Sequence, residues 1–574
     1  MTASRKTLIL AVAFFLLALG WPWSGNVPEA SAQITVTSAT PSSGDQGTFS
    51  LPVTIKGSGF KKGAKAAFLR HDNGQPGGIS VTSTRYVSAT QLVAAVDVAP
   101  DATLEVLFDI KVTNTDGRTG KGTELFAVTE KVDLCALPDP EPSPSDEISY
   151  YPGLPGFLDA NFGNGSGRVI GLRAFKAEAD VALQQVDGES RFVMAGSIED
   201  PCSTASRIWA VARFLGTGAP DESFGTDGVV TTPFPGAANA VDVAVDGAGR
   251  LVVIGFAPPK AGADRVATVV RYNPDGSLDV SFGTSGVVRL PYGKTLPYST
   301  VRSVAVQSDN KIVISGTSTP TTGLNVYLEV FRLKDNGTLD GTFSASGRYL
   351  YKGQPSSYGL AIATQWVGSE QRLVVAGQAS DTGSYRDYEG TVWRLTAAGV
   401  LDVDFGVGGI AAVNFEGEQL SLHDVVIDGS RVVVTGSVYP ADDIDYSYLA
   451  LARFNALGQP DLAFGNGGAV LVPSPTKTNG GRVAIQADGR ILVAGEQWVG
   501  TARSDVAVWR FETTGLPDVT FGPGGVATNP ITDQSHGAYT RGVLLQADGT
   551  VAIVGGLWVG EKHIPYPFLA RFWQ

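Results

Sequence analysis

Beyond about residue 158 the apolar positions fall in short runs separated by polar or glycine-containing turns, and the same arrangement returns at intervals. In one unit the runs are "GVVRL" from Gly286, "VRSVAVQ", "KIVISG" and "LEVFRL", joined by turns such as "SDN" and "KDNG". Short runs rich in β-branched residues and bounded by such turns predict four strands per unit. Each unit opens on an Asp-x-x-Phe core: Asp159/Phe162, Asp221/Phe224, Asp279/Phe282, Asp340/Phe343, Asp402/Phe405, Asp461/Phe464 and Asp518/Phe521. Successive Phe positions differ by 62, 58, 61, 62, 59 and 57. A period of this size marks a propeller or a solenoid, and four short strands per unit select the propeller. Seven units imply seven blades.

A Gly closes the third strand of every unit (Gly196, Gly255, Gly316, Gly377, Gly436, Gly495, Gly555), and an Arg closes the fourth (Arg213, Arg271, Arg332, Arg394, Arg453, Arg510, Arg571). Every Arg but the last stands 8 residues before the next Asp. Arg571 has no Asp after it and Asp159 no Arg before it, so the two complete each other if the ring closes. The strand in "GSGRVIGL" then becomes the outer strand of the last blade, with residues 540–574 supplying the other three and no sheet edge left free at the seam. The repeated Asp is expected to bond the Arg or the turn amides, and the Phe to pack between neighbouring sheets. On this reading a chain starting at Gly167 is much less stable than one starting at Tyr150.

Residues 158–574 resemble the delta-60 repeat of bacterial secreted and surface proteins, which implies a propeller-like fold and no established activity. The fourth unit departs from the pattern, with "TFSAS" from Thr342 and "RYLYKG" from Arg348. Upstream, residues 33–131 show period-two strands broken by Gly, Asn and Asp, the pattern of a β-sandwich. "VTIKGSGF", Gly63, Phe68, "SATQLVAAV" and "VTNTDG" make this segment similar to the IPT/TIG family of immunoglobulin-like domains, which implies a binding or spacer module. Between the two, residues 132–157 hold "PDPEPSPSDE", where alternating prolines give a stiff extended linker. The expected fold is therefore all-β: an immunoglobulin-like β-sandwich, then a seven-bladed β-propeller closed by an N-terminal outer strand.

Residues 1–32 read as an export signal, with Arg5 and Lys6, the apolar run Leu8–Leu19 and "ASA" before Gln33. The alternative, a retained anchor, meets a run of twelve residues where a spanning helix needs about 20. No later segment resembles a span. Export makes a disulfide between the two cysteines, Cys135 and Cys202, the expected state, two separate buried thiols being the alternative.

A formal charge of -13 disfavours nucleic acid as a partner. There is no G-x-S-x-G, H-E-x-x-H or C-x-x-C, and the four histidines are scattered, so neither a metal site nor a cofactor is expected. "DDIDYSY" from Asp442 lacks the Gly of a calcium loop and reads as a solvated acidic loop. Candidate functional residues are those that break the repeat where the second, innermost strand begins: Asp180, Asp242, Arg302, His423, Asp424, Arg482 and Arg541. Ringed around a channel mouth they would suit a polar ligand, simple hydration of the channel being the alternative. Aromatic residues in "YRDYEG" (Tyr385), "DYSY" (Asp445), "QWVG" (Gln497) and "LWVG" (Leu557) are assigned to loops after the third strand, where rings stack on sugars or anchor interfaces. The expected partner is an extracellular or cell-surface glycan or protein. A carbohydrate-active enzyme with inter-blade carboxylates and a structural envelope component are the alternatives.

Overall fold

The computed structural model describes residues 33–129 and 158–573 except for short stretches, the longest being 46–50, 164–167, 171–174, 200–206, 292–299, 320–324, 441–445, 530–534 and 560–563. The export segment, the linker, both cysteines and the Asp442–Asp445 carboxylates lie outside the described residues. The chain divides into two compact units, 1–134 and 135–574. Among the described residues no helix is long and apolar enough to cross a membrane.

In the first unit, Thr35–Thr40, Leu51–Ser58, Gln91–Val98 and Ile79–Ser88 form one sheet in that order; Ser43–Asp45, Thr119–Thr129, Leu107–Thr113 and Lys65–Arg70 form the other. Every second residue of Gln91–Val98 is buried, as the period of a half-buried strand requires. Inward side chains of both sheets, Val53, Ile55, Leu92 and Ala94 from one and Phe68, Phe108, Ile110 and Phe126 from the other, share a single core. Phe68 meets Phe126 edge to face at 5.0 Å.

The second unit contains seven four-stranded antiparallel sheets among its described residues. One consists of Asn239–Val245, Leu251–Ala257, Val266–Tyr272 and Val287–Arg289. Its first three strands come from one sequence repeat, and the fourth follows the Asp-x-x-Phe of the next, so every sheet straddles a repeat boundary. The last sheet pairs Ser535–Leu545, Thr550–Val559 and Ile564–Trp573 with Arg168–Ile170 from the other end of the unit. The first strands of successive sheets lie side by side, and the last returns to the first. Apolar side chains alternate between the two faces of each sheet. Leu251 and Val253 join the core shared with the preceding sheet, Val252 and Ile254 the core shared with the following one.

The joints between sheets are built from the repeated Arg, Asp and Phe. Six times the Arg Nε donates to the Asp Oδ2 at 2.7–2.9 Å. Arg571 meets Asp159 through Nη2 at 2.5 Å, and the Asp159 amide donates to the Arg571 carbonyl. The other Asp oxygen closes the turn by accepting the amide two residues on, as at Asp221 and Ser223. Burial alone would raise the Asp221 carboxyl, but the Ser223 hydroxyl and amide and the Arg213 charge bring it below its ordinary range. The Arg Nη1 then reaches a turn carbonyl of the next sheet, Pro274, Asp335, Ala397, Ala456, Thr513 or Gly216, at 2.5–2.8 Å. Each guanidinium lies over the motif Phe at 4.4–5.0 Å.

At six of these Phe rings a glycine of the next sheet's turn packs against the ring, as Gly458 does at Phe405. At Gly458, with φ +73°, a Cβ would stand 2.5 Å from the Gly406 amide nitrogen and 2.8 Å from the Phe405 ring. Gly458→Ala combines left-handed backbone strain with overpacking and should cost about 2–4 kcal/mol in a denaturant melt. Gly467→Ala shares the positive φ but has open space around it, and should cost less.

Candidate functional site

The innermost strand of each sheet carries a β-bulge. Pairing with its neighbour slips by one residue at Val241, Arg302, Leu360, His423, Gly481 and Arg541. An extra residue of this kind leaves the ladder and re-aims its side chain. All six of these bulged residues line one cavity of about 570 Å³.

The residue after the bulge faces a different task. In successive sheets it is Asp180, Asp242, Ser303, Ala361, Asp424, Arg482 and Gly542. Asp242 accepts the Val243 amide on Oδ1 and, from the next sheet, the Val304 amide on Oδ2, both at 2.7 Å. Asp424 does the same with Val425 at 2.9 Å and Val483 at 2.8 Å. Arg482 Nη2 donates to Asp180, reaching past the intervening sheet, which has Gly542 at this position. A Cβ on Gly542 would meet a Val181 methyl at 2.3 Å. Burial, and then the nearby Asp180 charge, push the Asp242 carboxyl up to about 8 against the pull of Arg482 and the two amides. Burial raises Asp424 as well, while the charges of Asp180, Asp424 and Asp242 outweigh burial and raise Arg482.

The seven residues selected from sequence therefore divide. Arg302, His423, Arg482 and Arg541 line the cavity. Asp242 and Asp424 do not; as the bulge turns their neighbours inward, their own oxygens bond backbone amides that tie sheet to sheet. Asp180 is the counter-ion of Arg482. Asp159 and Arg571 form the ion pair at the seam.

Sequence reasoning missed three charged wall residues: Arg207, Arg265 and Glu496. A signal for them exists. Arg207 and Arg265 each stand 6 residues before the repeated Arg, where other units have Val326, Tyr388, Ser447 or Ser504, and Glu496 directly follows the repeated Gly495. Arg265 Nη1 donates to Asn239 at 2.9 Å, and the Arg541 guanidinium lies 5.1 Å from the centre of the Tyr539 ring. Glu496 accepts Asn479 Nδ2 at 3.1 Å and the Thr540 amide at 3.3 Å, and its burial raises its carboxyl. His423 Nδ1 donates to the Gly480 carbonyl at 2.5 Å, which leaves Nε2 as an acceptor. Its burial, with the Arg482 and Arg541 charges, holds the imidazole below its ordinary pKa and neutral at pH 7.

The loop assignment of the aromatics needs correction. Gln497 and Trp498 belong to the strand Ile491–Val499, with the Lys477 ammonium 4.8 Å over the indole. Tyr448 opens the strand Tyr448–Phe454 and packs on Tyr446. These stretches extend strands because their β-branched and aromatic residues continue the ladder. Tyr385 and Asp445 lie outside the described residues. Among the described residues no group of three or more His, Cys, Asp or Glu side chains is arranged to hold a metal ion.

Residues 249–282, 307–343 and 486–521 match a β-propeller family of unknown function, DUF5122. Among curated proteins none matches the chain. Solved structures similar to it include a protein of unknown function from Dyadobacter fermentans, at 9% identity over 70% of this chain and 97% of that one, TM-score 0.37. The β-propeller domain of the trilobed protease from Pyrococcus furiosus is 10% identical over 69% of this chain and 94% of that one, TM-score 0.36. The α-L-arabinofuranosidase Arb93A of Fusarium graminearum is 10% identical over 57% and 92%, TM-score 0.33. Seven consecutive four-stranded sheets, a returning seam strand and three matched repeats make this chain a β-propeller protein.

Proposed function

We propose that the chain is an exported, non-enzymatic binding protein: an IPT/TIG-like immunoglobulin-fold spacer, a proline-rich linker, and a seven-bladed propeller of delta-60-like repeats. The propeller mouth holds a cell-surface or extracellular glycan or protein. The observation that carries this reading is the contrast between the joints and the bulges. The same three residue types recur at every joint, while the six bulged positions that line the cavity hold Val, Arg, Leu, His, Gly and Arg. Structural upkeep accounts for the repeated residues, and ligand contact for the varied ones.

Glu496 favours a second reading, a carbohydrate-active enzyme. It is a carboxyl on the cavity wall, raised above its ordinary range by burial, the direction a proton donor needs. The other carboxylates of the inner ring among the described residues, Asp180, Asp242 and Asp424, are engaged with Arg482 or backbone amides. A carboxyl with no partner carboxylate among the described wall residues suits holding a sugar better than cleaving it.

The test is retention of the full chain on immobilised polysaccharides and on isolated envelopes, beside Leu360→Trp, which fills the cavity from a bulge position. Loss of retention in that variant is the expected result. Undiminished retention would move the site away from the mouth. New reducing ends on the bound polysaccharide, absent with Glu496→Gln, would replace binding by hydrolysis.

A further inference from the structure

The cavity's charge runs against that of the chain. The protein carries -13, yet five arginines, Arg207, Arg265, Arg302, Arg482 and Arg541, converge on one cavity, each from a different sheet. No local sequence pattern brings them together; only the ring does. One carboxylate, Glu496, stands among the described wall residues. Asp180 and Asp424 lie beside Arg482 and balance it. Among the described residues no carboxylate forms an ion pair with Arg265, which donates to Asn239 Oδ1, or with Arg541, which lies beside the Tyr539 ring and whose charge acts on Glu496 only at longer range. Like charges gathered in a partly enclosed space repel one another, and an anionic ligand relieves that repulsion.

The remaining wall chemistry narrows the ligand. Phe256 and Tyr439 offer aromatic surface and His423 Nε2 an acceptor for a hydroxyl group, while Asn239, Asn479 and Thr300 are bonded to Arg265, Glu496 and Thr317 and hold the wall in place. A bare inorganic anion has no use for the aromatic surface, and a neutral sugar leaves the gathered arginine charge unbalanced. Guanidinium forks match a carboxylate with two parallel bonds. Resting on the binding reading above, we infer that the cavity takes a carboxylate-bearing sugar, a uronic acid residue of an acidic glycan, with Arg265 and Arg541 as its principal charge partners.

Calorimetric titration of the full chain with an oligogalacturonate, with the same oligomer after reduction of its carboxyls, and with inorganic phosphate tests this. The uronate should bind at least about tenfold more tightly than the reduced oligomer, the preference should shrink as salt rises, and Arg265→Gln/Arg541→Gln should abolish it while leaving the melting temperature near that of the parent. Equal binding of charged and reduced oligomers overturns the inference and leaves the binding reading standing. Phosphate binding as tight as the uronate, lost in the same variant, overturns the sugar assignment in favour of a simple anion site. Failure of both oligomers to bind, with envelope retention still blocked by Leu360→Trp, excludes a uronate ligand. Failure of every retention assay removes the binding reading itself.

Discussion

A chain beginning at Gly171 should melt well below one beginning at Tyr150, with a chain beginning at Gly167 in between. The seam strand is Arg168–Ile170, so a start at Gly167 removes the Asp159–Phe162 motif and spares the strand; a start at Gly171 removes both. Losing the motif strands Arg571, a buried guanidinium whose carboxylate partner sits at 2.5 Å. Orphaning one member of such a pair costs about 3–5 kcal/mol. Leu158 and Phe162, both buried, add about 1.5–3 kcal/mol each. For a unit of this size the sum corresponds to a fall of roughly 10 °C in a calorimetric scan. Removing the strand also bares the edge of Ile564–Trp573, so the shortest chain should aggregate as it unfolds. Coincident melting of all three chains would mean that the seam contributes nothing.

Interior joints should be nearly as sensitive. Arg394 is buried and holds four partners: Asp402 Oδ2 at 2.8 Å, the Ala456 carbonyl at 2.8 Å, Gln365 Oε1 at 3.3 Å and the Phe405 ring at 4.5 Å. Arg394→Ala leaves Asp402 with Arg372 at 3.3 Å and the Asp404 amide, and should cost about 3–5 kcal/mol in denaturant unfolding. Arg394→Lys should recover little of this, because an ammonium cannot lie flat on Phe405 while reaching both an oxygen of its own sheet and one of the next. In the double variant Arg394→Ala/Asp402→Ala the loss should fall short of the two single losses added together. Strict additivity would show that the pair and the ring contact act independently.

Much of this fold was legible because the joints repeat. The constant Arg-to-Asp spacing of 8 residues is the length of the turn between a sheet's third strand and the motif, so it corresponds to a bond, and its two orphans correspond to the seam. The inner ring was less legible. Adjacent polar residues such as Arg302–Ser303 or His423–Asp424 marked a break in alternation, but a bulge sends the first toward the cavity and the second toward the neighbouring sheet. Counting along the strand cannot say which of the two faces inward. The pairing partner decides that, and it lies on another strand. Arg207, Arg265 and Glu496 were overlooked for a related reason: they stand near the ends of strands other than the innermost, and reach the cavity only through the packing of the ring.

The sameness of the joints has a further consequence for assembly. The Arg, Asp and Phe on one side of a sheet and the glycine turn on the other do not by themselves tell a proper neighbour from a distant one; the bonds that do are few, such as Asp242 to the Val304 amide and Asp424 to the Val483 amide. Chain connectivity supplies that information everywhere except at the seam, where Asp159 and Arg571 come from opposite ends of the unit. The seam therefore closes only where the accumulated rotation of the joints brings those two ends within reach. A duplication or loss of one whole repeat should leave the Arg–Asp–Phe joints largely intact and act first at the seam, where Arg571 must still reach Asp159.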